Sequence, residues 1–363
     1  MFNYILGLGL FLVPLILRLT PNASTVRMSK DIFYYFIVCL LVLFYEKQKE
    51  VGLKTKLILS YFLFHCYFFT NAFAEIYFWT QFQMVSISVV FFYLLISSKI
   101  NKNLIFNIIS IAGLIQALWC ICNFFGIEPY YEIFNLFGKK LLFERYQAGQ
   151  GIGALGNTML SGAFIALCAP SLFRPKWAYI VPIYLLGIIT TNSLMSLATL
   201  VGIILYYFYS KYVQLKFLPY FGLIIVCSCF IFFGFPEYGY FTDNDRLKLW
   251  TVSLNNIHNW FIGNGLGNFP NEIPNIILMD ANQSKPMHAH SEYVESIYAF
   301  GVIGIAPIVY FFYQSIKKTN NIILLSAIFG IAINCFGNFT FHIAPLAMLS
   351  LTYLSLSFGD DNV

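Results

Sequence analysis

Charge is what this sequence has least of. Asp, Glu, Lys and Arg make up only 10% of the chain, against roughly 25% in soluble domains, which excludes a molecule whose surface is mainly wetted by water. The formal net charge of +5 comes from 21 basic and 16 acidic side chains. These cluster between long apolar runs instead of covering one face, so no nucleic-acid partner is expected. Nor is a disulfide framework expected. All eight cysteines (Cys39, Cys66, Cys120, Cys122, Cys168, Cys227, Cys229 and Cys335) sit inside or at the edge of apolar runs. The pairs Cys120/Cys122 and Cys227/Cys229 lie on different faces of a helix and miss the usual zinc spacings, so they read as small core hydrophobes. No G-x-x-x-x-G-K-[ST] occurs, which leaves nucleotide hydrolysis without support.

Apolar sequence is abundant. The chain of 363 residues is 59% hydrophobic and 19% aromatic, with a mean hydropathy of +0.73. A membrane span needs about 20 mainly apolar residues. Runs of about that kind lie near 3–19, 31–45, 57–74, 76–98, 103–126, 157–173, 177–192, 193–210, 217–235, 296–316, 321–337 and 343–358. The fold class expected is therefore all-α: one polytopic membrane domain over 1–363, with about twelve transmembrane helices, good to about two. The first run lacks a basic leader and a small-residue cleavage site and reads as a retained span.

With the N-terminus placed in the cytoplasm, short inside loops hold Lys47, Lys49, Lys54, Lys56, Lys99, Lys102, Arg174, Lys176, Lys211, Lys216, Lys317 and Lys318, as the positive-inside rule requires. The connection with Arg18, Arg27 and Lys30 is the misfit. Two connections are too long to be turns, since helix connections in bundles mostly run about 2–8 residues. Both fall outside: one from about Gly126 to Asn157, and a larger one, between the ninth and tenth spans, from about Pro236 to Glu295. Long ordered loops carry function.

The larger loop reads DNDRLKLW from Asp243, GNGLGNF from Gly263 and HAHSEYVESIYAFGVIG from His288. Gly263, Gly265 and Gly267 allow a tight turn or a close backbone approach, but no βαβ unit surrounds them to make a dinucleotide site. His288, Glu292 and Glu295, at i, i+4 and i+7, share a face if the helix already runs there. Only a non-helical start brings His290 to the same site as His288. Imidazole suits proton transfer near neutral pH; a solvated interfacial histidine is the plain alternative. The H-x-H pair could bind a metal, yet no third ligand is evident. Asp243 and Asp245 spell D-x-D beside Arg246 and Lys248, a pattern also common in solvated loop clusters. Arg246 differs in kind, since a guanidinium offers bidentate donors to phosphate oxygens. In the smaller loop, Lys139, Lys140, Glu144 and Arg145 precede GQGIGALGN. Arg145 and Asn157 are polar groups at a membrane boundary, read either as functional or as a snorkelling arginine and a helix cap.

Taken in order, these segments resemble the O-antigen ligase and polymerase superfamily of bacterial membrane glycosyltransferases, whose members share an R-x-x-x-W, G-x-G-x-G-x-F, H-N-x-[YF] and G-x-x-G succession. Here the matching residues run from Arg246 to Trp250, Gly263 to Phe269, His290 to Tyr293 and Gly301 to Gly304, with GALGNTMLSGAFIAL from Gly153 similar to an upstream family segment. The resemblance spans roughly 145–358. It implies an undecaprenyl-diphosphate-linked glycan as donor and a glycan or lipid A core as acceptor, at the bacterial inner membrane, with surrounding lipids as the remaining partner. It implies no cofactor, no metal and no nucleotide sugar. By the same resemblance, His290 would assist at the acceptor hydroxyl and Arg246 would hold the diphosphate, with His288, Glu292, Gly265, Gly267 and Asn157 in support. Two positions depart from the pattern. Leu194 follows Thr191, Asn192 and Ser193 where members often carry an arginine, for which Arg145 or Lys285 could substitute, and Ser291 replaces the asparagine after the histidine. The rival class is a lipid-linked glycan flippase or another transporter, which places ionisable residues and broken helices near the midplane. His65, deep in an apolar run, is the one candidate for that, or a histidine satisfied by a neighbouring helix. A third reading, a membrane subunit without catalysis, expects the loop histidines to tolerate replacement.

Overall fold

The computed structural model describes residues 1–15, 23–70, 76–129, 149–213, 216–220, 222–223, 244–276 and 288–358. These are all-helical, with no strand among them. The α-helices are α1 (Phe2–Leu15), α2 (Ala23–Leu43), α3 (Leu53–Phe68), α4 (Ile76–Ser97), α5 (Lys102–Phe124), α6 (Thr158–Cys168), α7 (Val181–Thr190), α8 (Leu194–Tyr212), α9 (Asn244–Asn255), α10 (Phe269–Ile276), α11 (Glu292–Lys318), α12 (Ile322–Gly337) and α13 (Ala344–Phe358). Short 3-10 turns at Ala169–Phe173, Pro175–Ile180 and Thr340–His342 link some of them. Local chemistry sets several starts. Asn101, Asn157, Ser193, Ser291 and Asn321 each turn a side-chain oxygen onto an N–H of the first helical turn, which satisfies donors that have no partner within the helix.

Among the described residues, four helices are long and apolar enough to cross a membrane: α4, α5, α8 and α11, of 22, 23, 19 and 27 residues. The chain is thus consistent with a helical membrane protein. On α8, Val201, Leu205 and Phe208 are exposed, as are Val302, Val309 and Tyr313 on α11; apolar surface of this kind suits contact with lipid tails. The helices cover the apolar runs of the sequence apart from 217–235, most of which lies outside the described residues. The shorter α13 packs inward. Every residue of α13 but Leu351 is buried, against α1, α2, α4, α6, α11 and α12. Three of its hydroxyls are satisfied within the helix: Thr352, Ser355 and Ser357 donate back to the Met348, Thr352 and Tyr353 carbonyls. Pairing of this kind lowers the cost of carrying hydroxyls into a dry interior.

Lys30 corrects one expectation. The sequence reading put it in the first connection, but α2 already begins at Ala23, so Lys30 is helical and buried. Its ammonium donates to the Pro14 carbonyl at 2.8 Å, near the end of α1. Among the described cysteines, Cys39, Cys66, Cys120, Cys122, Cys168 and Cys335 are free thiols, while Cys227 and Cys229 fall outside the described residues.

Candidate functional site

The segment expected as one long loop contains α9 and α10, and its described part packs onto the first half of α11. Leu249, Trp250, Ile257, Phe269 and Ile273 form an apolar cluster with Ala289, Val294 and Tyr298. The contact is close because α11 is broken at Gly301, whose φ of 60° and ψ of −173° are not helical. A break strands backbone groups that a membrane interior cannot hydrate. Here the glycine loop takes them up. The N–H groups of Asn264 and Gly265 donate to the carbonyls of Tyr298 and Ala299, and those of Val302 and Ile303 donate to Trp260 and Phe261. His65 Nε2 completes the set at the Phe300 carbonyl, 2.9 Å away. The approach leaves no room for side chains: a β-carbon on Gly263 would stand 2.6 Å from the Ala299 backbone, and one on Gly301 2.4 Å from the Gly263 nitrogen. Gly265 and Gly267, both at positive φ, meet the backbones of Thr70 and Phe78 in the same way. Their role is therefore close packing of main chain against α3, α4 and α11.

Beside this seam, α11 starts later than its sequence pattern suggests. Ser291 caps it and Glu292 is its first residue, so His288 and His290 precede the helix and do not lie on its face. The turn is set by His290, whose φ of 53° is left-handed, a conformation that costs a non-glycine residue about 1–2 kcal/mol. Trp250 fixes the segment by donating its indole N–H to the Ala289 carbonyl at 2.7 Å. Both histidine rings come to Phe339: His288 stacks on it at 4.8 Å between centroids, and His290 meets it edge-on at 5.2 Å. The non-helical start thus does bring the two histidines to one place.

Glu295, 3% exposed, gathers the rest. Its Oε1 accepts from His288 Nδ1 at 2.8 Å and its Oε2 from the Ala289 N–H at 3.1 Å. His342, from the turn between α12 and α13, brings Nε2 to 3.4 Å from the same Oε1. The other nitrogen of that ring, Nδ1, lies 3.3 Å from Glu292 Oε1, and Glu292 Oε2 accepts the Phe341 N–H at 3.0 Å. Two buried carboxylates therefore alternate with two imidazoles, in the order Glu292, His342, Glu295, His288. Burying a lone carboxylate costs several kcal/mol, and here each has imidazole and N–H partners plus the positive end of α11 beneath it.

Arg246, on α9, reaches the last residue of α12, just before the α12–α13 turn. Its Nη1 donates to the Gly337 carbonyl at 3.4 Å and its Nη2 approaches Met159 Sδ at 3.5 Å. Met159 follows Asn157, which is exposed and caps α6 by accepting from the Leu160 N–H at 3.1 Å. The start of α8 is adjacent, since Ser196 donates to the Met159 carbonyl. Leu194, where the resemblance expects an arginine, is 54% exposed there.

Arg145, Lys285 and Asp243 lie outside the described residues, as do Lys139, Lys140 and Glu144. His342 is the residue of this cluster that the sequence motifs do not single out. It sits in the gap between the last two apolar runs, in NFTFH, and being one of only five histidines was its one visible signal. With Glu295 it supplies the partners that the H-x-H pair lacked, and His288, Glu295 and His342 place ligand atoms within 4.8 Å of one another. His290 is not part of that set.

No family model and no curated protein matches this chain.

Proposed function

We propose that the chain is a membrane glycosyltransferase of the O-antigen ligase and polymerase type. It moves a glycan from a polyprenyl diphosphate to an acceptor hydroxyl during assembly of a surface polysaccharide, lipopolysaccharide O-antigen or capsule. The proposal includes about twelve spans in the bacterial inner membrane, with 236–295 on the periplasmic side. One observation carries it: the four short motifs that make up the resemblance, spread over 246–304, pack together around the start and the break of α11. Trp250 of R-x-x-x-W holds the backbone beside His290, and the glycine loop is hydrogen-bonded into the break at Gly301 of G-x-x-G. Arg246 meets the end of α12, just before the turn that carries Phe339 and His342.

The chemistry asked of the residues is modest, because the donor brings its own leaving group. The acceptor oxygen forms a new bond to the anomeric carbon as the bond from that carbon to the diphosphate oxygen breaks. His290 takes the acceptor proton, and Arg246 balances the charge that develops on the departing diphosphate. A left-handed histidine is the kind of local strain that persists where surrounding structure holds it for a purpose. Replacing His290 by Ala, with the protein still in the membrane at its normal level, should abolish surface polymer in cells; unchanged polymer would sink this reading.

A flippase or other transporter is the second reading, and the break at Gly301 favours it, since transporters use discontinuous helices. Against it, the carbonyls at the break are already engaged by Asn264, Gly265 and His65. Flipping of a lipid-linked glycan by reconstituted protein, undiminished in His290→Ala, separates the two.

A further inference from the structure

We propose that His288, Glu295 and His342 form a binding site for a divalent transition ion, zinc being the one that two imidazoles and a carboxylate suit best. The site stands on its own geometry and does not depend on the glycosyltransferase reading.

Three features point to it. The first is spacing. In a tetrahedral site with metal–ligand bonds of about 2.0–2.1 Å, ligand atoms stand about 3.3 Å apart. His342 Nε2 and Glu295 Oε1 are 3.4 Å apart, His288 Nδ1 and Glu295 Oε1 are 2.8 Å apart, and the three atoms all fall within 4.8 Å. An ion centred among them would require the two rings to rotate. The second is charge. Glu292 and Glu295 are buried at 8% and 3% exposure, and with neutral imidazoles the pair carries two negative charges in a site where unbalanced charge is costly. One divalent ion brings the cluster to zero.

The third feature lies outside the ligand set. A histidine that binds a metal through one nitrogen ordinarily gives its other N–H to a carboxylate, which fixes the tautomer and strengthens the ligand. Glu292 Oε1 sits 3.3 Å from His342 Nδ1 in that role, and the carboxylate is itself held by the Phe341 N–H on its other oxygen, Oε2. Glu295 is steadied in turn by the Ala289 N–H on its second oxygen. Ligands on α11, on the segment before it and on the α12–α13 turn would be clamped together by the ion. Three protein ligands leave a fourth position for water or a substrate oxygen.

The test uses the full chain purified in detergent without chelator, equilibrated with zinc chloride and then with metal-free buffer. The site predicts about one zinc per chain. His288→Ala and His342→Ala should lose it, while Glu292→Gln, which keeps all three ligands, should weaken it by roughly 10–100-fold. Cobalt chloride gives a second reading on wild type and Glu292→Gln, should the alanine variants fold poorly: visible absorption of a four-coordinate ion appears in wild type at concentrations that leave Glu292→Gln unfilled. Wild type that retains no more zinc than His342→Ala, or equal cobalt spectra at equal concentration in wild type and Glu292→Gln, overturns the site. No glycan enters these measurements, so their outcome is independent of transfer.

Discussion

His65 Nε2 donates to the Phe300 carbonyl across 2.9 Å, with its ring in the space that a β-carbon on Gly304 would occupy, 2.4 Å from that nitrogen. A polar side chain in an apolar helix therefore serves as the cap of a break in its neighbour. Replacing His65 with Ala leaves a buried carbonyl without that donor and should cost about 1–3 kcal/mol. Thermal unfolding in detergent checks it, with a lowered midpoint for His65→Ala; an unchanged midpoint would contradict the structural role.

The seam between the glycine loop and α11 gives a sharper contrast. Gly263→Ala and Gly301→Ala force a side chain into positive φ and within 2.6 Å of main chain, and each should destabilise by about 1–3 kcal/mol. Gly52→Ala, whose added β-carbon meets nothing within 4 Å, should stay within about 0.5 kcal/mol of wild type. Equal midpoints for all three variants would mean that the seam does not form.

Much of the architecture was legible beforehand, because charge-free runs of helical length leave a chain little choice in an apolar medium. The runs at 76–98, 103–126 and 193–210 lie within two residues of α4, α5 and α8. What could not be read were relationships across the fold. Periodicity put His288 on the face of α11, but the Ser291 cap and the left-handed His290 end the helix before it. His342 becomes visible only when α12 and α13 bring their connecting turn under Glu295. Asn157 caps α6, as one of the two readings of that position expected.

Trp250→Phe keeps a ring against Phe336, now 5.3 Å away between centroids, and removes the N–H that holds the Ala289 carbonyl. A lost hydrogen bond of this kind costs about 1 kcal/mol, more when the acceptor is left buried. The larger expected effect is on function, since Ala289 lies between His288 and His290. Transfer should fall while unfolding shifts by only a few degrees; a drop in stability with full transfer would show that the indole only packs.

His290 allows stability and function to be separated. Its left-handed φ favours glycine, so His290→Gly should unfold at a temperature no lower than His290→Ala, by about 1 kcal/mol in its favour. Both should lack transfer. Glycine restoring activity would mean that the turn, and not the imidazole, is what the position supplies.

The most direct measurement is transfer by purified, reconstituted protein given a polyprenyl-diphosphate glycan and candidate acceptors, comparing wild type with His290→Ala and Arg246→Ala. The account predicts product from wild type, released diphosphate lipid in equal amount and loss of both in the two variants, with the acceptor that works distinguishing polymerase from ligase. Wild-type levels of product in either variant, or lipid flipping without any product in wild type, would contradict it.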